Sequence, residues 1–573
     1  MDKKTILLVI LLGILVIFWI PVMTKLGFIK SPERRMQPVT EQVQQPPARD
    51  TATAVQKYDS AKVTTTPTKK PERTEVVTVD TTASIPEDTI SIETNLMTII
   101  LSNYGGAPVS IKLKDYKYEN GKPIEMLPDC DEATPGFSFN GGTVNTAKYL
   151  FQTSSSGNYK VNSGNREISY TYQKNDSSTV TKRYRFYADR YNYDLILEIS
   201  NRSGFGFERE YSLRWNNKLA PTELNIQDDY NSMWAMARMG TETAKFDDYT
   251  NDQFSVALTG ETFWTATRSK YFAAVIVPLS HPGSGAGASG VKEKITTPSG
   301  NITTRALTIS LQMEIPFEQS LTDSFSVYAG PMDYELLSDF NHDIAHPLVD
   351  IGTTPVIGWL IWIFAYPIMW LLPRMHSVIP NYGLVIIIFS ILVKLITWPL
   401  SRKSVRSMNA MREIQPELAK LKEKHKKNPQ ALNREMMKLY KERGVNPLAG
   451  CLPMLPQMPL FFALFAVFRS TILLRQAPFI LWWNDLSRGA LSITDPYIIL
   501  VILMVVLMFV QQKMAMTDPK NKALTYMMPL MMGFFFYRAS AGLVLYWTCF
   551  SLFSFIEQLI FKKPTEPAAA VAK

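Results

Sequence analysis

From residue 381 onward the chain is dominated by apolar runs, at 381–400, 449–469, 495–512, 520–537 and 540–561. A helix that crosses a bilayer needs roughly 20 mostly apolar residues. In lipid the backbone must satisfy its own polar groups, so such runs become helices. Five of them in succession constrain the last third of the chain to a membrane-embedded bundle. The chain-wide hydrophobic content of 46% is ordinary, but it averages this region with 31–90, which holds almost no apolar cluster.

Two further runs lie outside the bundle. Lys3 and Lys4 precede an apolar stretch from Ile6 to Ile20, followed by Pro21, Val22, Met23 and Thr24 rather than a small-residue cleavage site. This reads as an uncleaved signal anchor with its N-terminus inside. The run 356–373 carries Pro367, ends at Pro373, and places Trp359, Trp362, Tyr366 and Trp370 at helical spacing. Trp and Tyr favour the membrane–water interface, so this stripe suits a helix lying in the surface plane.

Charge sets the orientation. The loop 401–446 holds thirteen Lys/Arg against five Asp/Glu, and cytoplasmic loops carry the Lys/Arg excess. With the N-terminus inside and 356–373 not spanning, this loop falls inside, together with Lys513, Lys520, Lys522, Lys562 and Lys563. Only Arg475, Arg488 and Arg538 fall in the outer connections. The reading is six spans with both termini cytoplasmic. The net charge of +9 suggests an acidic or anionic neighbour, such as lipid headgroups or nucleic acid.

Between anchor and bundle the pattern changes twice. Residues 31–90 are rich in Pro, Thr, Gln, Ser and charge, and read as a disordered linker. From 91 to 340 short runs alternate: Tyr193, Leu195, Leu197 and Ile199 are spaced as in a half-buried strand, and Leu307–Leu311 and Phe325–Ala329 are similar. Asn140-Gly141-Gly142 and Asn162-Ser163-Gly164-Asn165 supply turn signals. The expected fold class is an α-helical polytopic membrane protein plus an all-β domain. Its units are an anchor (1–30), a linker (31–90), the β domain (91–340), an interfacial helix region (341–380), a five-span core (381–561) with a cytoplasmic helical hairpin (401–446), and a tail (562–573).

Lys394 is the one charged residue in the run 381–400. It lies six residues from Leu400, about 9 Å from that end at about 1.5 Å per residue. A charge at such depth costs at least about 2.5–3.5 kcal/mol, so it must face water, a partner or an interior cavity. One reading is a lysine snorkelling to the headgroups. The other is a hydrated groove, with Ser390 one turn earlier on the same face and Thr397 nearby. Gln511, in the run 495–512, is counted with this polar set.

In 401–446, Val405, Met408, Met411, Ile414, Leu418 and Leu421 recur every three or four residues. A second helix has Asn428 as cap, Pro429 at its first position and Gly444 past its end, with Leu432, Met436, Leu439 and Tyr440 along one face. With Arg402, Lys403, Arg406, Arg412, Lys420 and Lys424 the hairpin reads either as a solvated positive-inside loop or as a docking surface for headgroups, ribosomal RNA or an incoming chain. Fourteen methionines in 401–573, among them Met458, Met527, Met528, Met531 and Met532, suit either span packing or an adaptable apolar surface.

Other chemistry has little support. No GxxxxGK is present, so no P-loop is expected. His342 and His346 stand at i, i+4 without an HExxH frame, and Cys130, Cys451 and Cys549 give neither zinc spacing nor a disulfide framework. No metal, cofactor or covalent catalysis is expected.

Several motifs, in order, are specific: Val445-Asn446-Pro447-Leu448-Ala449-Gly450-Cys451-Leu452-Pro453, Gln457-Met458-Pro459-Leu460-Phe461, Leu474-Arg475-Gln476-Ala477-Pro478-Phe479, Trp482, Asp485-Leu486-Ser487, Asp495-Pro496-Tyr497 and Ala541-Gly542-Leu543-Val544-Leu545-Tyr546-Trp547. Over 335–561 the chain resembles the YidC/Oxa/Alb insertase family, of the Gram-negative type with a large periplasmic domain. Tyr271-Phe272 and Tyr328-Ala329-Gly330-Pro331 extend the likeness weakly. The resemblance implies a periplasmic β-supersandwich similar to sugar mutarotases, a periplasmic interfacial helix at 356–373, and five spans around a hydrophilic groove. Lys394 falls where the family usually has arginine, which keeps the charge and loses the planar fork of donors. Ser390 matches a polar groove position; Met458, Pro459, Tyr546 and Trp547 match substrate-contacting positions.

The implied function is insertion and folding of nascent inner-membrane proteins, by a monomer alone or with the Sec translocon. The ribosome and targeting receptor would meet the hairpin. Two rivals are a secondary transporter coupling through Lys394, which should show inverted repeats, and a sugar-active enzyme in the β domain.

Overall fold

The computed structural model describes residues 88–130, 132–216, 218–246, 252–297, 300–315, 318–349, 351, 358–426, 428–445, 454–515 and 522–561. The expected anchor, nearly all of the linker, the tail, Cys451 and the motif 446–453 lie outside them.

The N-terminal part is a β domain of two sheets. The smaller runs in the order Pro123–Glu125, Ala107–Lys117, Met97–Ser102, Thr89–Thr94 and Asn158–Val161, so strand structure begins at Thr89. The larger has thirteen strands. At its centre the hairpin Gly283–Thr297 and Gly300–Glu314 pairs with Gln253–Arg268 on one side and Glu210–Trp215 on the other. Asn192–Ser200 lies between Ser178–Tyr187 and Leu321–Pro331. It buries Tyr193, Leu195, Leu197 and Ile199, the alternation its sequence specifies, because successive side chains leave opposite faces of a strand. Leu307, Ile309 and Leu311 are buried likewise. Gly141 and Gly164 turn the chain with φ of 62° and 67°, in the left-handed region where glycine carries no Cβ penalty.

Lys182 breaks the apolar alternation of Ser178–Tyr187. It is fully buried between Val180 and Tyr184. Its amine donates to Gly105 O at 2.6 Å and Thr146 Oγ1 at 3.1 Å, beneath the rings of Phe137 and Phe151. Tyr184 donates to Gly106 O at 2.8 Å. The bonds to Gly105 and Gly106 tie the large sheet to the turn joining Met97–Ser102 to Ala107–Lys117.

The helices are α1 (Arg202–Phe205) and α2 (Ile226–Ser232) within the β domain, α3 (Tyr334–Phe340), α4 (His342–Val349), α5 (Gly358–Val378), α6 (Tyr382–Glu413), α7 (Gln415–Lys424), α8 (Pro429–Glu442), α9 (Met454–Ser470), α10 (Ile498–Ala515), α11 (Lys522–Phe536) and α12 (Ala541–Ile560). By length and composition α6 and α12 can cross a membrane, and Gln457–Ser470, Ile498–Met514 and Tyr526–Phe536 are shorter apolar helices. α12 is central, packing on α6, α9 and α10. α5 packs on α9 and α6 through Ile361, Ala365, Ile368 and Leu372. Of its aromatic stripe Trp359, Tyr366 and Trp370 are exposed, whereas Trp362 is held against His346 and Tyr334.

The hairpin is continuous with the core. α6 passes through Pro399 and ends at Glu413, because Val405, Met408 and Met411 carry the helical spacing onward. α7 and α8 then fold back on each other around Ile414, Leu418, Leu439 and Val445. The Asn428 side chain accepts from Ala431 N, Pro429 opens α8, and Gly444 follows it with φ 63°.

Candidate functional site

Lys394 lies inside the bundle, facing α12. Its amine makes an ion pair of 2.7 Å with Glu557 Oε2, donates to Ser554 Oγ at 2.9 Å, and lies 5.1 Å from the centre of the Phe550 ring. The same carboxylate oxygen accepts from Ser401 Oγ at 2.7 Å. The Lys394 and Glu557 side chains are only 11% and 6% exposed. The lysine is therefore held by an internal partner, not extended to the headgroups. In a low-dielectric interior this pairing offsets the cost of burying either charge alone.

The sequence carries a signal for Glu557 that the pattern of apolar runs alone does not bring out: it is the one charged residue in the run 540–561. Positions 550, 554 and 557 recur at helical spacing, which puts Phe550, Ser554 and Glu557 on the face of α12 turned to Lys394.

The other expected site residues divide. Ser390 is fully buried but donates to Ile387 O at 2.6 Å. Thr397 donates to Val393 O and Lys394 O. Both hydroxyl protons are thus engaged by the backbone of α6, leaving oxygen lone pairs to accept. Tyr546 and Trp547 join the site through Phe550, at 6.0 and 6.3 Å between ring centres. Phe461 packs on Trp547 at 5.2 Å, and Phe389 and Phe468 flank Tyr546. Met458 and Pro459 lie half-buried at the start of α9, and Gln511 half-buried near the end of α10. An aromatic band between α6, α9 and α12 thus adjoins one buried ion pair.

The hairpin presents cations outward. Lys403, Arg406, Lys420 and Lys424 are exposed, while Arg402 and Arg412 are half-buried; Arg402 lies over Phe561 and Trp398. Arg443 pairs with Glu417 across the hairpin.

At the opposite end the bundle meets the β domain. Asp228 on α2 takes Lys270 Nζ at 2.8 Å and Arg469 of α9 at 3.0 Å. Burial alone would raise the Asp228 carboxyl, but the two cations hold it below the usual carboxylate range. Arg475 pairs with Glu223 at 2.7 Å and donates to Lys117 O at 2.8 Å. The motif residues of 476–497 build the adjoining loop. Asp485 accepts from Gln476 N and from Ser487 N and Oγ. Asp495 pairs with Arg488 at 2.8 Å and accepts from Leu491 N and Tyr497 N. These carboxylates occupy backbone donors that the loop would otherwise leave unpaired. A cavity of about 450 Å³ lies there, lined by Lys117, Tyr118, Trp482, Arg488 and Tyr497. Among the described residues no cluster of three metal-ligating side chains occurs.

A β-rich domain joined to a bundle of apolar helices, with its one described ion pair between long apolar helices inside that bundle, defines an integral membrane protein with a large non-membrane domain. Residues 89–371 match the family described as the YidC periplasmic domain, and 374–568 that described as the 60Kd inner membrane protein. The membrane protein insertase YidC of Chlorobium limicola is 32% identical, covering 99% of this chain and 95% of the relative. That of Chlorobium luteolum is 35% identical over 85% and 84%. A crystal structure of an active YidC insertase with its first transmembrane domain resolved covers 83% of this chain and 95% of its own, at 17% identity and a TM-score of 0.35. The chain belongs to the YidC family of membrane protein insertases. Its function is accordingly the insertion of membrane proteins, in the inner membrane, and none of the comparisons favours the transporter reading.

Proposed function

We propose that polar segments of nascent membrane proteins are held beside Lys394, between α6 and α12, while the adjoining apolar helix moves into lipid. The observation that carries this reading is the buried Lys394–Glu557–Ser554–Ser401 set beside the aromatic band of Phe461, Tyr546, Trp547 and Phe550. A polar segment needs partners at membrane depth, and an ion pair with adjacent hydroxyls provides both a donor and an acceptor. The aromatic band, with Met458 and Pro459, offers an apolar path alongside. Gln511 and the lone pairs of Ser390 and Thr397 add further polar atoms. Burial of the apolar helix in lipid supplies the driving force.

In this reading the chain has six spans and two cytoplasmic termini. The β supersandwich and the interfacial α5 are periplasmic. The hairpin cations Arg402, Lys403, Arg406, Arg412, Lys420 and Lys424 face the cytoplasm and meet the ribosome, the targeting receptor or anionic lipid. The chain works as a monomer, alone or beside the Sec translocon.

The test is complementation after depletion. Cells carrying Lys394→Ala are followed for insertion of a small coat-like protein with an acidic outer tail. The reading expects a clear loss of insertion at normal protein level; insertion at the wild-type rate would remove Lys394 from the mechanism.

A further inference from the structure

Lys394 is already neutralised. Glu557 Oε2 stands 2.7 Å from its amine and 2.7 Å from Ser401 Oγ, and Glu557 Oε1 has no hydrogen-bond partner among the described residues. A cation that attracts acidic segments by charge would be expected to stand open; this one is occupied by a carboxylate of its own chain. An entering carboxylate must therefore take the place of Glu557 at the amine. Conversely, an entering ammonium or guanidinium finds a carboxylate with one oxygen unused.

Resting on the reading above, we propose that Glu557 sets the charge selectivity of insertion. It competes with acidic segments for Lys394 and serves as the acceptor for basic ones. The empty site is neutral, and segments of either sign enter by exchanging partners within the pair. The helix positions suit this. Glu557 lies about one turn beyond Ser554 on α12, so a released amine keeps Ser554 as a partner and a released carboxylate keeps Ser401. Each half of the pair thus retains one hydrogen bond while its ionic partner changes, which lowers the penalty of leaving a buried charge alone.

The test reconstitutes the full chain in proteoliposomes at limiting insertase. It measures insertion of three versions of one substrate, with acidic, neutral or basic outer tails. Wild type, Glu557→Gln, Lys394→Gln and the exchanged pair (Lys394→Glu with Glu557→Lys) are compared. Glu557→Gln is expected to raise the acidic-to-basic insertion ratio by about tenfold, equivalent to about 1.4 kcal/mol. Lys394→Gln should lower that ratio. The exchanged pair, which keeps the ion pair, controls for folding and should give a ratio close to that of wild type. A uniform fall for all three substrates in Glu557→Gln, with the ratio unchanged, would mean that Glu557 only holds the helices together, and the proposal would fall. If Lys394→Gln also inserts all three tails as wild type does, the groove reading itself fails. A Lys394→Gln defect confined to acidic tails, beside an unmoved ratio in Glu557→Gln, overturns the proposal and leaves that reading standing.

Discussion

Replacing Lys182 with methionine should remove a pH dependence that the β domain carries in its core. The lysine is fully buried, its amine held by one carbonyl and one hydroxyl, and among the described residues no carboxylate pairs with it. Burial pushes its pKa down from 10.5 to about 7. Above pH 10.5 the amine is neutral whether the domain is folded or not. Between pH 10.5 and 7 the unfolded chain binds the proton and the folded one does not, so stability falls as pH falls. One proton corresponds to about 1.4 kcal/mol per pH unit, which gives a loss on the order of 5 kcal/mol across the window. Below pH 7 both states are protonated and this loss stops growing. Lys182→Met fills the same space with an unbranched apolar chain, loses two hydrogen bonds, and carries no charge. The assay is pulse proteolysis of the β domain in the full detergent-solubilised chain, over a urea series at pH 7, 8 and 9. Wild type should gain urea resistance as pH rises, and the variant should be flatter and more resistant at pH 7. Equal slopes in the two proteins would refute the claim that Lys182 is buried without a counter-charge.

Other consequences are checked more simply. Asp228→Asn leaves Lys270 and Arg469 without their shared carboxylate; the site is half-buried, so about 1–3 kcal/mol is expected, and limited proteolysis should cut sooner between the β domain and α9. Gly489→Ala places a Cβ 2.5 Å from the Arg538 carbonyl carbon, a backbone atom that cannot swing aside, so accumulation of folded protein should fall, by about 1–3 kcal/mol of stability. Asn428→Ala should cost about 1 kcal/mol of α8 stability, read as faster amide exchange at Ala431 and Leu432. On the proposed docking role of the hairpin, the wild-type chain should co-sediment with ribosomes less well as salt rises, and reversing Lys420 and Lys424 to glutamate should weaken it at any salt.

Features set by local pattern were legible in the sequence. The strand Asn192–Ser200 follows from four apolar residues two apart, and α8 from Asn428, Pro429 and Gly444, each of which acts on backbone within a turn of itself. The length of α6 was less legible. A span ends where the bilayer does, but a helix ends only where its spacing or caps fail, and Val405, Met408 and Met411 carry this one to Glu413. Partnerships across long separations were not legible. Lys394 was recognised as a buried charge from its own run, but its answering carboxylate is 163 positions away, and α12 reads as apolar when its single acid is averaged away. The same holds for Asp228 and Arg469, 241 positions apart. The burial of Lys182 is not legible for a different reason: the alternation that marks Ser178–Tyr187 as a strand is carried by its apolar residues, and the lysine stands in their register.

The proposed path of substrate beside the Lys394–Glu557 pair can be mapped by stalling a nascent chain with a photoreactive residue in its polar outer segment and locating the crosslinks on the full-length protein by peptide mass spectrometry. Crosslinks are expected on α6 around 387–401 and on α12 around 546–558. Crosslinks confined to the β domain or to α11, with none in those two stretches, would contradict that path.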